Sequence, residues 1–203
     1  MPLDARFAQA IAAIDAANAA DPHRVATAAG NRPKELVHAE LLTGWVQRLR
    51  PDASEPLLLA ARAHHILRWT VPRASYPAGR TGYLRWRNRL HAVHAEEAGR
   101  ILAAVGYEPA TIARVQAIVR KQRLAQDPEV QTLEDALCLV FLDLQLDELT
   151  GRLADEEKMV SVLRKSWTKM SPAGRDYALG LELTPAGRAL VRRALAAPEQ
   201  AAR

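Results

Sequence analysis

Two histidines occupy positions where a helical pattern otherwise places apolar side chains. An α-helix turns about 100° per residue, so the direction of each side chain can be compared with that of its neighbours. His38 shares a helical face with Leu42 and Trp45, and His94 shares one with Leu90. Both imidazoles are therefore predicted to point into the protein.

A third histidine and an aspartate follow the same pattern. His65 shares a face with Leu58, in a segment that is apolar nearly all round, so His64 is a further candidate for burial. Asp143 falls within a run of leucines and is predicted to face the core, while Asp135 lies nearer the edge of that face. An inward carboxylate implies a cation or several hydrogen-bond donors, because burying it alone is costly.

Imidazole and carboxylate groups that converge inside a helical protein can bind a divalent metal ion. Neutral imidazole with carboxylate suits Zn, Mn, Fe or Ni, and helices can bring such groups together in a shared core. The metal ligands predicted on this basis are His38, His65, His94 and Asp143. In the alternative interpretation, each imidazole bonds a backbone carbonyl and Asp143 pairs with an inward arginine such as Arg62 or Arg87.

Residues 68–91 concentrate arginines and aromatic rings in a stretch that contains two prolines and two glycines. Guanidinium groups bind phosphate oxygens in pairs, and flat rings can stack on a base. The predicted phosphate- or ligand-binding residues are Arg68, Arg73, Tyr76, Arg80, Tyr83, Trp86 and Arg87. Alternatively, the rings pack this segment onto the helices and the arginines are solvated.

The elements that must position these residues are predicted to be helices. The chain has 203 residues, 49% apolar and rich in alanine, with few aromatic residues and no alternating strand pattern, which favours an all-α helical array. The predicted helices span 5–19, 34–49, 55–69, 84–105, 109–124 and 132–150, with one after Asp155 and a last one from Pro185. Residues 20–33 are predicted to form a polar loop.

Composition also limits the class of protein and its environment. A formal charge of +5 fits a soluble globular domain, and no stretch reaches the roughly 18 apolar residues of a membrane helix. The single cysteine, Cys138, lies in an apolar run and cannot form an internal disulfide, which indicates a reducing compartment. We expect a cytoplasmic protein without membrane partners, with one domain over 1–170 and a C-terminal extension over 171–203.

The spacing of His38, the pair His64-His65, His94 and Asp143 resembles the HD-domain superfamily of helical metal-dependent phosphohydrolases. In that superfamily, an early helical histidine, a His-Asp pair and a late aspartate bind metal. This chain departs from the pattern, because no aspartate follows either histidine of the pair. The resemblance implies an HD-like fold, a bound metal and a phosphorylated substrate.

A more specific set of residues resembles an uncharacterised bacterial and fungal family, the domain-of-unknown-function family numbered four thousand two hundred and two. The resemblance runs from about Phe7 to Met170. It rests on Asn18, Asp21-Pro22, His65, Arg68-Trp69, Pro72-Arg73, Tyr76-Pro77, Gly82-Tyr83, Trp86-Arg87, His94-Ala95, Gly106-Tyr107, Gln131, Glu134-Asp135 and Lys169-Met170-Ser171. In this family the position of His64 is often glutamine, so the resemblance favours His65 as the ligand.

Three functional hypotheses follow. The first is a metal-dependent phosphohydrolase acting on a nucleotide or other phosphorylated small molecule, with Glu97 or Asp135 as the general base. The second is a non-catalytic module that binds RNA or a nucleotide, which the missing HD aspartate favours. The third is a helical di-metal oxygenase that would use His91 together with Glu97 and Asp135.

Overall fold

The computed structural model describes residues 5–146 and 155–196, and nearly all of their regular structure is helical. This confirms the predicted all-α class. The helices, numbered in chain order, are α1 Ala5–Ala19, α2 Lys34–Leu49, α3 Glu55–Ala63, α4 Gly79–Ala104, α5 Pro109–Val119, α6 Pro128–Val140, α7 Glu156–Lys169, α8 Pro172–Leu179 and α9 Pro185–Leu195. Among the described residues, no helix has the length and apolar character needed to cross a bilayer.

Polar caps and prolines set the starts of several helices. The Ser54 hydroxyl accepts the Leu57 N–H, and Pro56 lies in the first turn of α3, where its missing N–H has no helical partner to lose. Ser171 and Thr184 cap α8 and α9 in the same way. The predicted helices include the start of α3 at residue 55 but not α8.

Residues 20–33 contain a β-hairpin, so the prediction of a polar loop was wrong. Strand β1 (Arg24–Thr27) pairs antiparallel with β2 (Gly30–Pro33), and Gly30 supplies the left-handed backbone of the tight turn with φ of 95°. Both strands are largely exposed, so their sequences lack the apolar alternation that marks a half-buried strand.

A buried aspartate connects this hairpin to the start of α2. Asp21 is 1% exposed; its Oδ1 accepts the His23 N–H at 2.9 Å and its Oδ2 accepts the Glu35 N–H at 3.0 Å. A carboxylate that accepts an N–H in the first helical turn stabilises that end of the helix. Asp21 therefore fixes the beginning of the helix that carries Glu35 and His38.

The chain divides into two compact units between Leu133 and Glu134, within α6. In the first unit, α3 packs against α1, α2 and α5, and α4 packs against α5. Leu57 and Leu59 of α3 are fully buried there. In the second unit, α7 packs against α9.

The predicted helix over 132–150 changes its geometry part-way. Regular α-helix ends at Val140, and Phe141–Gln145 form a π-helical turn, in which hydrogen bonds span five residues instead of four. The 100° step per residue no longer holds across such a turn. Asp143 is consequently exposed, and the prediction that it faces the core was wrong. The end of the predicted helix, from 147 to 150, lies outside the described residues.

Candidate metal centre

Three segments of the first unit bring the chemically active side chains together. α2 supplies Glu35 and His38, which are three residues apart and so share a face. The turn after α3 supplies His64 and His65, and α4 supplies His94. As predicted from the helical spacing, His38 and His94 are buried, at 6% and 1% exposed.

The turn after α3 is built on a strained backbone position. α3 ends at Ala63, well before its predicted end at residue 69, and Leu67 adopts a left-handed conformation with φ of 55°. A non-glycine residue in this region costs roughly 1–2 kcal/mol, and such strain concentrates at functional sites. His65 is therefore positioned by this turn, and the helical face from which its burial was predicted does not extend to it.

Glu35, His38 and His65 form a compact group of potential metal ligands. One ligand atom from each lies within 4.8 Å of the other two. Glu35 Oε2 is 3.2 Å from His65 Nδ1, and the His38 and His65 rings stack with centroids 4.1 Å apart. Two ligands at about 2.0–2.1 Å from a metal ion are separated by about 3.3–3.4 Å in tetrahedral geometry, close to the Glu35–His65 distance. The group therefore has the dimensions of a metal site.

Burial keeps the imidazoles of His38 and His65 neutral and makes the Glu35 carboxyl group harder to ionise. Burial, followed by the nearby Arg68 charge, lowers the pKa of His38 to about 3, and it lowers the pKa of His65 well below its ordinary value. Both imidazoles are therefore neutral at physiological pH, the form that binds metals. Burial raises the pKa of Glu35 to about 7, with the Arg68 charge acting in the opposite direction. A divalent cation would favour the ionised form of this carboxyl group.

Two further imidazoles extend the cluster. His94 Nδ1 donates a hydrogen bond to the Ile66 carbonyl at 2.6 Å, so its Nε2 carries a lone pair. The ring centroid of His65 lies 5.8 Å from that of His94 and 5.0 Å from that of His64. Within the described residues, three buried nitrogens in this cluster have no hydrogen-bond partner: His38 Nδ1, His64 Nδ1 and His94 Nε2. Buried polar atoms are rarely left unpaired, so this concentration points to a ligand.

Arg68 lies at the edge of the cluster, next to Glu35. Its Nε lies 3.8 Å from Glu35 Oε1, and its guanidinium stacks on Trp86 at 5.0 Å from the ring centroid. Trp86 is held by a 2.8 Å hydrogen bond from its indole N–H to the Val71 carbonyl. Arg87 lies over the Tyr83 ring at 5.9 Å from its centroid. Burial lowers the pKa of Arg68, and the charge of Arg87 acts in the same direction.

Residues 8–191 match the family described as Domain of unknown function (DUF4202). The chain belongs to this family. The match covers every residue of the metal-ligand cluster and extends beyond Met170, where the resemblance seen in the sequence ended. No curated protein and no solved structure matches the chain.

In this DUF4202 protein, the predicted arginine and aromatic segment has mixed roles. Arg73 donates hydrogen bonds to the Tyr76 and Pro77 carbonyls at 2.9 and 3.0 Å, so it holds the loop together. Arg80 is exposed. Tyr76 lines a groove of about 450 Å³ together with Leu67, Val71, Arg89, Val93 and Glu97. Arg68, Tyr83, Trp86 and Arg87 form a second group, next to Glu35.

The two carboxylates predicted as general bases are both hydrogen-bonded. Glu97 accepts from Arg100 on the same helix, which lowers the pKa of Glu97. Asp135, in the second unit, accepts from the Ser171 N–H at 2.8 Å and the Ser171 hydroxyl at 2.5 Å. Asp135 therefore supports the start of α8. Asp143 also belongs to the second unit, and its assignment as a metal ligand stays a prediction.

The alternative interpretation of the sequence is correct for one contact and wrong for another. His94 does bond a backbone carbonyl, as that interpretation expected. Arg62 pairs instead with Asp15, through contacts of 2.5 and 2.6 Å.

Glu35 is the candidate metal ligand that the sequence prediction missed. It lies three residues before His38, and Glu-x-x-His is a spacing that places two ligands on one helical face. His38 was compared only with residues that follow it in the helix, such as Leu42 and Trp45. An acidic residue in the first helical turn is also common for purely electrostatic reasons, so Glu35 did not stand out.

Proposed function

We propose that this DUF4202 protein is a divalent-metal-dependent phosphohydrolase that acts on a nucleotide or another phosphorylated small molecule. The observation that carries the proposal is the group formed by Glu35, His38 and His65, whose ligand atoms lie within 4.8 Å of one another. The proposed fourth ligand is His94, because its Nε2 has no hydrogen-bond partner among the described residues and its ring centroid lies 5.8 Å from that of His65.

The donor set favours a borderline metal. Three imidazole nitrogens and one carboxylate oxygen suit Zn, Mn, Fe or Ni, as the sequence predicted, better than Mg or Ca, which prefer oxygen ligands. His94 also has the supporting contact expected of a ligand, because its second nitrogen donates to a backbone carbonyl and fixes the ring. The burial of Glu35 and His38 limits competing water.

Each group has a separate role in the proposed reaction. A divalent ion in this site would lower the pKa of a bound water and polarise a phosphoryl oxygen. Arg68 and Arg87 would bind the phosphate group and orient it, since guanidinium groups match its geometry. Of the two predicted general bases we keep Glu97, because it lies on α4 three residues after His94, whereas Asp135 belongs to the second unit.

Metal content of untagged protein tests the metal site directly. We expect stoichiometric Zn, Mn, Fe or Ni by elemental analysis, and at least about tenfold weaker binding in His65→Gln and Glu35→Gln, since even supporting contacts of metal ligands contribute that much. Glu156→Gln is the matched control, because Glu156 also lies in a first helical turn, its side chain is 71% exposed and it belongs to the second unit. Metal-free wild-type protein whose melting temperature does not rise with any of these ions would overturn the proposal.

Activity is tested separately, on a panel of nucleotides and sugar phosphates. Phosphate release by the metal-loaded wild type, absent in the chelated protein and in His65→Gln, supports a phosphohydrolase. Metal binding without phosphate release from any substrate would retain the metal site and remove the enzymatic assignment. Salt-sensitive RNA binding that survives His38→Ala and His94→Ala would instead favour the binding-module hypothesis.

A further inference from the structure

Arg68 combines a firm location with an unused hydrogen-bonding capacity. Its guanidinium lies over the Trp86 ring, and that ring is fixed by the hydrogen bond to the Val71 carbonyl. Among the described residues, the guanidinium makes no hydrogen bond, and its side chain is 32% exposed. Five N–H donors are therefore held at the edge of the metal-ligand cluster, within reach of a ligand that approaches from solvent.

The only acidic group in contact with Arg68, within the described chain, is a ligand of the proposed metal. The two oxygens of Glu35 face different partners: Oε2 is 3.2 Å from His65 Nδ1, and Oε1 is 3.8 Å from Arg68 Nε. At 3.8 Å the contact with Arg68 is an ion pair without a hydrogen bond. A cation bound by Glu35 would compete with Arg68 for the same negative charge and would also repel it.

A second guanidinium, that of Arg87, lies over Tyr83, whose ring centroid is 5.8 Å from that of Trp86, the ring that Arg68 contacts. Arg87 has no ion pair with any residue that the structure describes. Burial is the main reason why the pKa of Arg68 is lowered, and the charge of Arg87 adds a smaller effect in the same direction. Two neighbouring guanidinium groups that lack a shared counterion form a binding site for a phosphate group, whose oxygens accept from both.

We propose that Arg68 is an exchangeable counterion, paired with Glu35 in the metal-free protein and with a phosphate group, held jointly by Arg87, in the metal-loaded protein. The inference rests on the metal site proposed above. Loading the metal neutralises Glu35 and releases Arg68 from it. Metal and phosphate therefore bind with mutual reinforcement, and each tightens the binding of the other by the same factor.

Substitution of Arg68 separates this role from a structural one, because it predicts effects of opposite sign on two ligands. At pH 8, Arg68→Gln should bind Mn²⁺ about tenfold more tightly than wild type, within the usual range of coupling energies. The same variant in its Mn²⁺-loaded form should bind inorganic phosphate at least about tenfold more weakly, as expected for the loss of a charge-assisted bidentate contact. General damage to the site would weaken both.

Isothermal titration calorimetry with Mn²⁺ and then inorganic phosphate measures both affinities. Arg85→Gln is the control. Arg85 is exposed on α4, the helix that carries Arg87, and its substitution should change neither affinity. Arg68→Lys is a second variant, which retains the positive charge. It should bind Mn²⁺ no more tightly than wild type and should lose part of the phosphate affinity.

The possible failures are distinguishable. If wild-type protein binds Mn²⁺ but Arg68→Gln binds it no more tightly, the counterion role is wrong and the metal site stands. Phosphate affinity that is equal with and without Mn²⁺ also contradicts the inference. If the wild type binds no metal, both the inference and the proposed function are wrong.

Discussion

Replacing Glu35 with glutamine should stabilise the metal-free protein at alkaline pH, although most substitutions of buried residues destabilise. The Glu35 side chain is 9% exposed, and burial raises the pKa of its carboxyl group from 4.5 to about 7. A raised pKa means that the folded state holds the proton more tightly than the unfolded state. The neutral carboxyl group therefore contributes its full stability below pH 4.5, and this contribution is lost as the pH rises through about 7.

The size of the effect follows from the pKa difference. Each pKa unit corresponds to about 1.4 kcal/mol, so ionisation of Glu35 destabilises the metal-free fold by about 3 kcal/mol above pH 7. Glutamine has the same shape, keeps an oxygen that accepts from His65, and does not ionise. The free energy of unfolding of Glu35→Gln minus that of wild type should therefore increase by about 3 kcal/mol between pH 4.5 and 8.

Urea unfolding in the presence of EDTA, at several pH values from 5 to 8, measures this difference. The comparison between variant and wild type removes the contributions of other titrating groups. With a saturating divalent metal the advantage of the variant should shrink by at least about 1.4 kcal/mol, because the wild type binds the ion at least about tenfold more tightly. A difference that does not change with pH in EDTA, or that falls as the pH rises, would refute the reasoning by showing that the Arg68 charge outweighs burial.

Three further predictions concern the scaffold and are measured by urea or thermal unfolding. Gly82→Ala should destabilise the protein by more than about 2 kcal/mol, because its Cβ would clash with the Pro77 carbonyl oxygen. Gly44→Ala has open space around it in α2 and should stabilise the protein by up to about 1 kcal/mol. Equal effects of the two substitutions would contradict this prediction. Ser171→Ala should cost about 1–3 kcal/mol, because it removes the α8 cap and leaves buried Asp135 short of a donor, and an unchanged midpoint would argue against that role. Arg114→Gln should lower the free energy of unfolding by only about 1 kcal/mol at pH 7, because the ion pair between Arg114 and Asp127 is partly exposed. Its hydrogen bond lowers the pKa of Asp127 to about 2, so the wild-type advantage is present above pH 3.8 and should disappear as the pH falls through about 2.

The parts of the site on regular α-helix could be predicted from the sequence. The positions of His38 and His94 follow from the 3.6-residue period, and both are buried as expected. His65 belongs to the candidate group, but it lies in the turn after α3 has ended, where the helical pattern used to predict its burial does not apply. That turn depends on tertiary packing, which a periodic pattern does not contain.

The errors have local causes. Asp143 was misplaced because a π-helical turn changes the angular step between residues, and the sequence carries no proline or glycine that marks the change. The β-hairpin was missed because its strands are exposed and short. Which oxygen of Glu35 faces His65 and which faces Arg68 is a matter of three-dimensional geometry, beyond what any spacing along the chain specifies.

The origin of the cluster in three separate segments has a consequence for folding. His38, His65 and His94 are each more than 25 residues apart along the chain. An ion held by all three would close two long loops, and loop closure is where a cross-link removes most entropy from the unfolded chain. Metal loading would then act as a reversible staple on the first unit, slowing amide hydrogen exchange across α2, α3 and α4 together, with little effect on α7 and α9.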